Sequence, residues 1–112
     1  MEPLEQKEQK AVVKWARKQG FIVNSVGNGG VRKVQEVVRD IAMGELPGMP
    51  DLEFPIQGGQ TIRIEMKRRK KGVISKKQEV IHAELEKRGH IVKVARGAKE
   101  AVDFLKQFLH LT

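Results

Sequence analysis

The chain has 112 residues, of which 39% are hydrophobic, with 11 glycines and no cysteine. That length fits one domain, residues 1–112, with a single modest core, and the missing thiols exclude disulfides, thiolate catalysis and cysteine-type zinc sites. Lysine and arginine number 22 against 14 acidic residues, and a net charge of +8 on so small a body points to a polyanionic partner. No apolar run nears the ~20 residues of a membrane span and no signal peptide opens the chain. A cytoplasmic protein without membrane contact is therefore expected.

From Leu4 to Gln19, Val12, Val13 and Ala16 recur at helical spacing, and Gly20 supplies the stop. Phe21 to Val26 reads as a strand, and Gly27-Asn28-Gly29-Gly30 as a loop. Val31, Val34, Val38, Ile41 and Ala42 predict a second helix within Val31–Met43, followed by irregular chain from Gly44 to Pro50. Asp51–Ile56 and Thr61–Lys67 alternate with period two: Leu52, Phe54 and Ile56 share one face, and Ile62, Ile64 and Met66 another. Parity settles the turn between them. A two-residue Gly58-Gly59 turn would mix polar and apolar residues on both faces. A three-residue loop over Gln57–Gly59, with Gly59 left-handed, sets Phe54 beside Ile62, Glu53 opposite Arg63 and Asp51 opposite Glu65. Ser75 to Arg88 predicts a helix closed by Gly89, His90 to Ala95 a strand, and Ala98 to Leu109 a last helix. Its apolar face would be Ala101, Val102, Leu105, Phe108 and Leu109. The order α-β-(α)-β-β-α-β-α describes an α/β or α+β domain with a central mixed sheet flanked by helices.

Chemistry concentrates on the paired strands. Two carboxylates facing each other across a strand pair, Asp51 and Glu65, repel unless a positive charge lies between them, and an oxygen-liganded divalent ion such as Mg²⁺ is the natural occupant. Lys67, two residues on and on the same face, could orient an attacking water or stabilise phosphate charge. The same three residues could equally form a solvated charge ladder, because Glu-x-Lys also occurs at Glu5-Gln6-Lys7 and Glu8-Gln9-Lys10. Ser75-Lys76-Lys77-Gln78 has the spacing of a capping box, with the glutamine returning to the Ser75 amide. Lys67, Arg68, Arg69, Lys70 and Lys71, with Lys76 and Lys77 behind them, form a basic run that emerges beside the acidic pair, where a nucleic-acid backbone could pass. His82, His90 and His110 lack ligand spacing and read as surface or packing residues.

Gly48-Met49-Pro50-Asp51, Glu65-Met66-Lys67 and Ser75-Lys76-Lys77-Gln78 together resemble the motif series of virus-type replication-repair nuclease (VRR-NUC) domains, a branch of the PD-(D/E)xK nuclease superfamily. The resemblance runs from about Glu5 to Leu109 and implies a restriction-endonuclease-like fold. It implies phosphodiester hydrolysis dependent on Mg²⁺ or Mn²⁺. Asp51, Glu65 and the Met66 carbonyl would be metal ligands, Lys67 would act on the water, and Gln78 would support the metal or the nucleophile. A first-helix glutamate joins the metal set in that family. Glu5, followed by Gln9, fits the spacing, with Glu8 as the rival. By the same resemblance, a single-domain member would be a homodimer that resolves four-way (Holliday) junction DNA, with the alternatives of a flap or single/double-strand junction nuclease. A non-catalytic basic DNA-binding module is the reading outside enzymes. Val31–Met43 is the expected dimer surface.

Overall fold

The protein, seen here as a computed structural model, is described over residues 4–26, 32–70 and 72–112. The expected loop at 27–30, the start of the second helix at Val31, and Lys71 of the basic run lie outside the described residues.

Helix α1 spans Leu4–Gln19, within the limits its spacing predicts. Its end is fixed by two backbone bonds, Gly20 N–H to Arg17 O and Phe21 N–H to Ala16 O, the paired pattern that closes many helices. This closure also shortens the next element. Phe21 is folded back toward α1, so the chain reaches the neighbouring strand only at Asn24, and strand β1 is Asn24–Ser25 rather than the expected Phe21–Val26. Phe21 and Val23 are buried in the core without ladder partners. Helix α2 covers Val34–Ala42, shorter than expected.

Strands β2 (Leu52–Pro55) and β3 (Thr61–Lys67) pair antiparallel in the parity-derived register: Leu52 with Ile64, Glu53 with Arg63, Phe54 with Ile62 and Pro55 with Thr61. The Ile56 amide bonds Gln60 O at 3.0 Å, leaving a three-residue loop in which Gly58 and Gly59 have φ of 93° and 88°. These are backbone angles that side chains with a Cβ rarely adopt. Helix α3 spans Lys76–Lys87, and strand β4 spans Ile91–Arg96, one residue later than expected. β4 lies parallel to β3, with α3 as the crossover, and the sheet order is β1-β2-β3-β4. Helix α4, Ala98–Leu105, tightens into a 3₁₀ segment over Lys106–Leu111 instead of continuing as α-helix to Leu109. The change of pitch turns Leu109 outward, 38% exposed, while Phe104, Phe108 and Leu111 pack on the core.

The resulting α+β unit is a four-stranded mixed sheet flanked by helices. Val12 and Ala16 of α1 and Ala101 and Leu105 of α4 meet Leu52, Phe54, Ile62, Ile64 and Met66 of the sheet. Phe21 stacks edge-on against Phe54 at 5.9 Å between centroids. Each large apolar side chain buried this way contributes about 1.5–3 kcal/mol. No helix among the described residues is long and apolar enough to cross a membrane.

Candidate functional site

The register of β2 and β3, continued one residue past Leu52–Ile64, sets Asp51 opposite Glu65 at the end of the strand pair. Asp51 Oδ2 accepts the Met66 N–H at 2.7 Å, which fixes the carboxylate against the last turn of the ladder. Glu65 is not part of an exposed charge ladder. It is 3% exposed, and β3 buries Ile64, Glu65 and Met66 in succession, breaking its own alternation. On this second face His82 of α3 stands 3.8 Å from Glu65, so the glutamate loses water although it points away from the core.

Glu65 sits between two cationic or potentially cationic groups. Its Oε2 is 3.8 Å from Lys67 Nζ, and its Oε1 is 3.8 Å from His82 Nε2. Neither Oε1 nor His82 Nε2 has a hydrogen-bond partner among the described residues, although both are buried. Burial first, and then the adjacent Asp51 carboxylate, push the Glu65 carboxyl up to about 8; Glu5 adds to the rise and Lys67 opposes it. Burial pulls the His82 imidazole below its ordinary value. His82 is buried, within the surface or packing roles expected for the histidines, and its burial places it beside Glu65. Its sequence signal is only that it lies four residues after Gln78, on the same helical face. His90 is also engaged, accepting from Arg63 Nε at 3.1 Å.

Asp51, Glu65 and Lys67 open onto a cleft of about 500 Å³. Glu5, Gln9, Asp51, Glu65, Lys67 and Gln78 all line it, and Lys77 stands at its wall. Met66 is buried in the core and is not among the residues that line the cleft. Glu8 does not line the cleft. One carboxylate oxygen of Glu8 accepts from the Ala98 amide at the start of α4, and the other accepts from Arg69 Nη2 at 2.8 Å. A Cβ on Gly97 would lie 2.6 Å from that same carboxylate, so the close approach of Glu8 depends on a glycine with φ +93°. Gln78 combines both anticipated positions: its Oε1 accepts from the Ser75 amide at 3.0 Å, its own amide donates to Ser75 Oγ at 3.1 Å, and the residue borders the cleft.

Arg68, Arg69 and Lys70 are exposed in the turn after β3, and Lys76 and Lys77 are exposed at the start of α3. Arg96 braces that turn by donating to the carbonyls of Arg68 and Gly72. Arg32 forms the far wall, bonded to Glu45 at 2.7 and 2.9 Å and also to Asp40. Both residues fall outside the motifs read from the sequence. Their partners lie 8 to 28 residues away, and nothing in local spacing marks them.

Among the described residues, no three acidic, histidine or cysteine side chains gather closely enough to enclose a metal ion. The donor set that does exist suits a hard divalent cation: the adjacent carboxyl groups of Asp51 and Glu65, in a mouth of polar side chains that includes Glu5, Gln9 and Gln78. A cation there would offset both the burial and the Asp51 repulsion that raise Glu65.

No protein-family model matches the chain, and no curated protein matches it. Solved structures do. One named "VRR_NUC domain protein" superposes with a TM-score of 0.78 and 22% identity, over 99% of this chain and 92% of its own length. Another, named "VRR_NUC domain", gives 0.68 and 20% identity, over 96% of this chain and 99% of its own length. The fold of this chain is therefore that of the VRR_NUC domain structures it superposes on.

Proposed function

We propose that this protein is an endonuclease of the PD-(D/E)xK type, dependent on Mg²⁺ or Mn²⁺, that hydrolyses phosphodiester bonds of branched DNA. Its preferred substrate in this reading is the four-way (Holliday) junction, cut by a homodimer. The observation that carries the proposal is the pair Asp51 and Glu65, opposed at the floor of a cleft with Lys67 Nζ 3.8 Å from Glu65. The names of the structural neighbours support the nuclease class.

In this reading Asp51, Glu65 and the Met66 carbonyl would hold the cation, with Glu5 lining the same cleft. When bound, the ion supplies charge stabilisation at the phosphate and a more acidic water. Lys67 would orient an attacking water in line with the scissile P–O3′ bond, its ammonium neutralising charge that grows on the phosphoryl oxygens. The P–O3′ bond breaks, leaving a 3′-hydroxyl and a 5′-phosphate. Gln78, fixed by its bonds to Ser75, presents a polar edge toward the attacking side. Arg68, Arg69, Lys70 and Lys71, with Lys76 and Lys77, contact the DNA backbone without reading bases. The homodimer would join through the exposed apolar stripe of α2, where Val34, Val38 and Ile41 are 78%, 62% and 46% exposed.

The test is a panel of synthetic junctions, flaps and duplexes incubated with purified protein and Mg²⁺ or Mn²⁺. Branched DNA should be nicked. Asp51→Asn and Lys67→Ala should lose cutting by about 10²-fold or more, a size typical of removing one charged catalytic group, while binding in Ca²⁺ persists. Normal cutting by Asp51→Asn overturns the site. Binding with no cutting by the wild type leaves only a basic DNA-binding module.

A further inference from the structure

Behind the carboxylate that faces the cleft lies an unused donor. His82 Nε2 and Glu65 Oε1 are 3.8 Å apart, both buried, and neither has a hydrogen-bond partner among the described residues. Buried polar atoms in folded proteins are nearly always hydrogen-bonded, so two complementary ones side by side are a natural pair. A movement of about 1 Å brings them to hydrogen-bond distance. The helix explains why His82 is there. Ser75 caps α3, which fixes the phase of the helix and sends Gln78 to the cleft. His82 follows one turn later on the same face, but it is 7% exposed and does not border the cleft. It therefore touches the back of Glu65 and not a substrate.

We infer that His82 is a positioning residue for Glu65: its Nε2–H holds Oε1 at the rear of the site and leaves Oε2, on the Lys67 side, to a divalent cation. The inference rests on the reading of Glu65 as a metal ligand. Donors that orient ligand carboxylates act in this way, and their loss typically weakens metal binding 10–100-fold. A carboxylate without the rear contact can rotate about its last torsion, so its cleft-facing oxygen is no longer held in place.

The experiment measures Mn²⁺ affinity by calorimetry, without DNA, for wild type, His82→Phe and His82→Gln. Phenylalanine keeps the ring and removes the donor, whereas the glutamine amide reaches about where Nε2 lies. His82→Phe should bind Mn²⁺ about 10–100-fold more weakly, and His82→Gln within about threefold of wild type. Equal affinity of wild type and His82→Phe overturns the inference, as does a glutamine variant as weak as the phenylalanine one. Thermal melting in chelator shows whether each variant folds. Should His82→Phe not fold, the wild type itself decides. Titration of Mg²⁺ into protein carrying ¹⁵N-histidine should shift the His82 Nε2 resonance, and an unmoved resonance overturns the inference. A wild type that neither binds Mn²⁺ nor cuts DNA removes the metal reading and this inference together. One that does both while His82→Phe matches it removes the inference alone.

Discussion

Glu65 carries the largest electrostatic penalty among the residues of the cleft. Its carboxyl is raised to about 8 by burial and by Asp51, so the folded state keeps a proton that the unfolded chain releases near the ordinary glutamate value of 4.5. Between those values the folded protein binds more protons than the unfolded chain, and its stability falls as pH rises. His82 and His90, both held below 6.5, act oppositely, losing stability as pH falls through that value. The clean window therefore lies between 6.5 and 8. Chelator-treated wild type should lose about 1 kcal/mol per pH unit there. Glu65→Gln should flatten the slope, which melting curves across that range would read. A slope of equal size in both proteins would assign the effect elsewhere.

At the scale of elements, two first-helix glutamates are sorted by what their carboxylates meet. Glu8 satisfies the Ala98 amide at the half-buried start of α4 and anchors Arg69, whereas Glu5 lines the cleft. Glu8→Ala should therefore lower stability by about 1 kcal/mol, as loss of a helix-start acceptor does, and leave Mn²⁺ affinity unchanged. Glu5→Gln should do the reverse, reducing cleavage while melting like wild type. Cleavage abolished in Glu8→Ala at full stability would return the rival to the site. The turn after β3 makes a separate prediction. Alanine at Arg68, Arg69, Lys70 and Lys71 should reduce the salt dependence of DNA binding by up to ~0.9 for each phosphate no longer neutralised. An unchanged slope in binding titrations would place the backbone elsewhere.

For the molecule as a whole, α2 is the part least bound to the rest. It buries no residue completely, and Arg32 holds its end by bonds to Asp40 and Glu45. Light scattering behind size exclusion at micromolar concentration should give a dimer mass, and Val38→Asp with Ile41→Asp should give a monomer with an unchanged melting temperature. A wild-type monomer would leave α2 without that role. The fold itself is largely legible in the sequence. The β2–β3 register follows from period-two parity, and the start and stop of α1 and α3 follow from apolar spacing, Ser75, Gly20 and Gly89. The short β1 is not legible, because Phe21 and Val23 have strand-forming side chains whose contacts lie in the core. Of the site, the acidic pair, Lys67 and the double position of Gln78 can be read; His82, Arg32 and the diversion of Glu8 cannot.

The sequence alone determined the order of elements, the hairpin register and the clustering of positive charge beside an acidic pair, because periods of two and 3.6 are set by neighbours along the chain. Tertiary structure alone decided that Glu65 loses its water, that His82 stands behind it, and that Glu8 reaches partners 61 and 90 residues away. Solvation and long-range pairing belong to the stacked layers. No single segment contains the surface that dries a carboxylate until helix and sheet close over it.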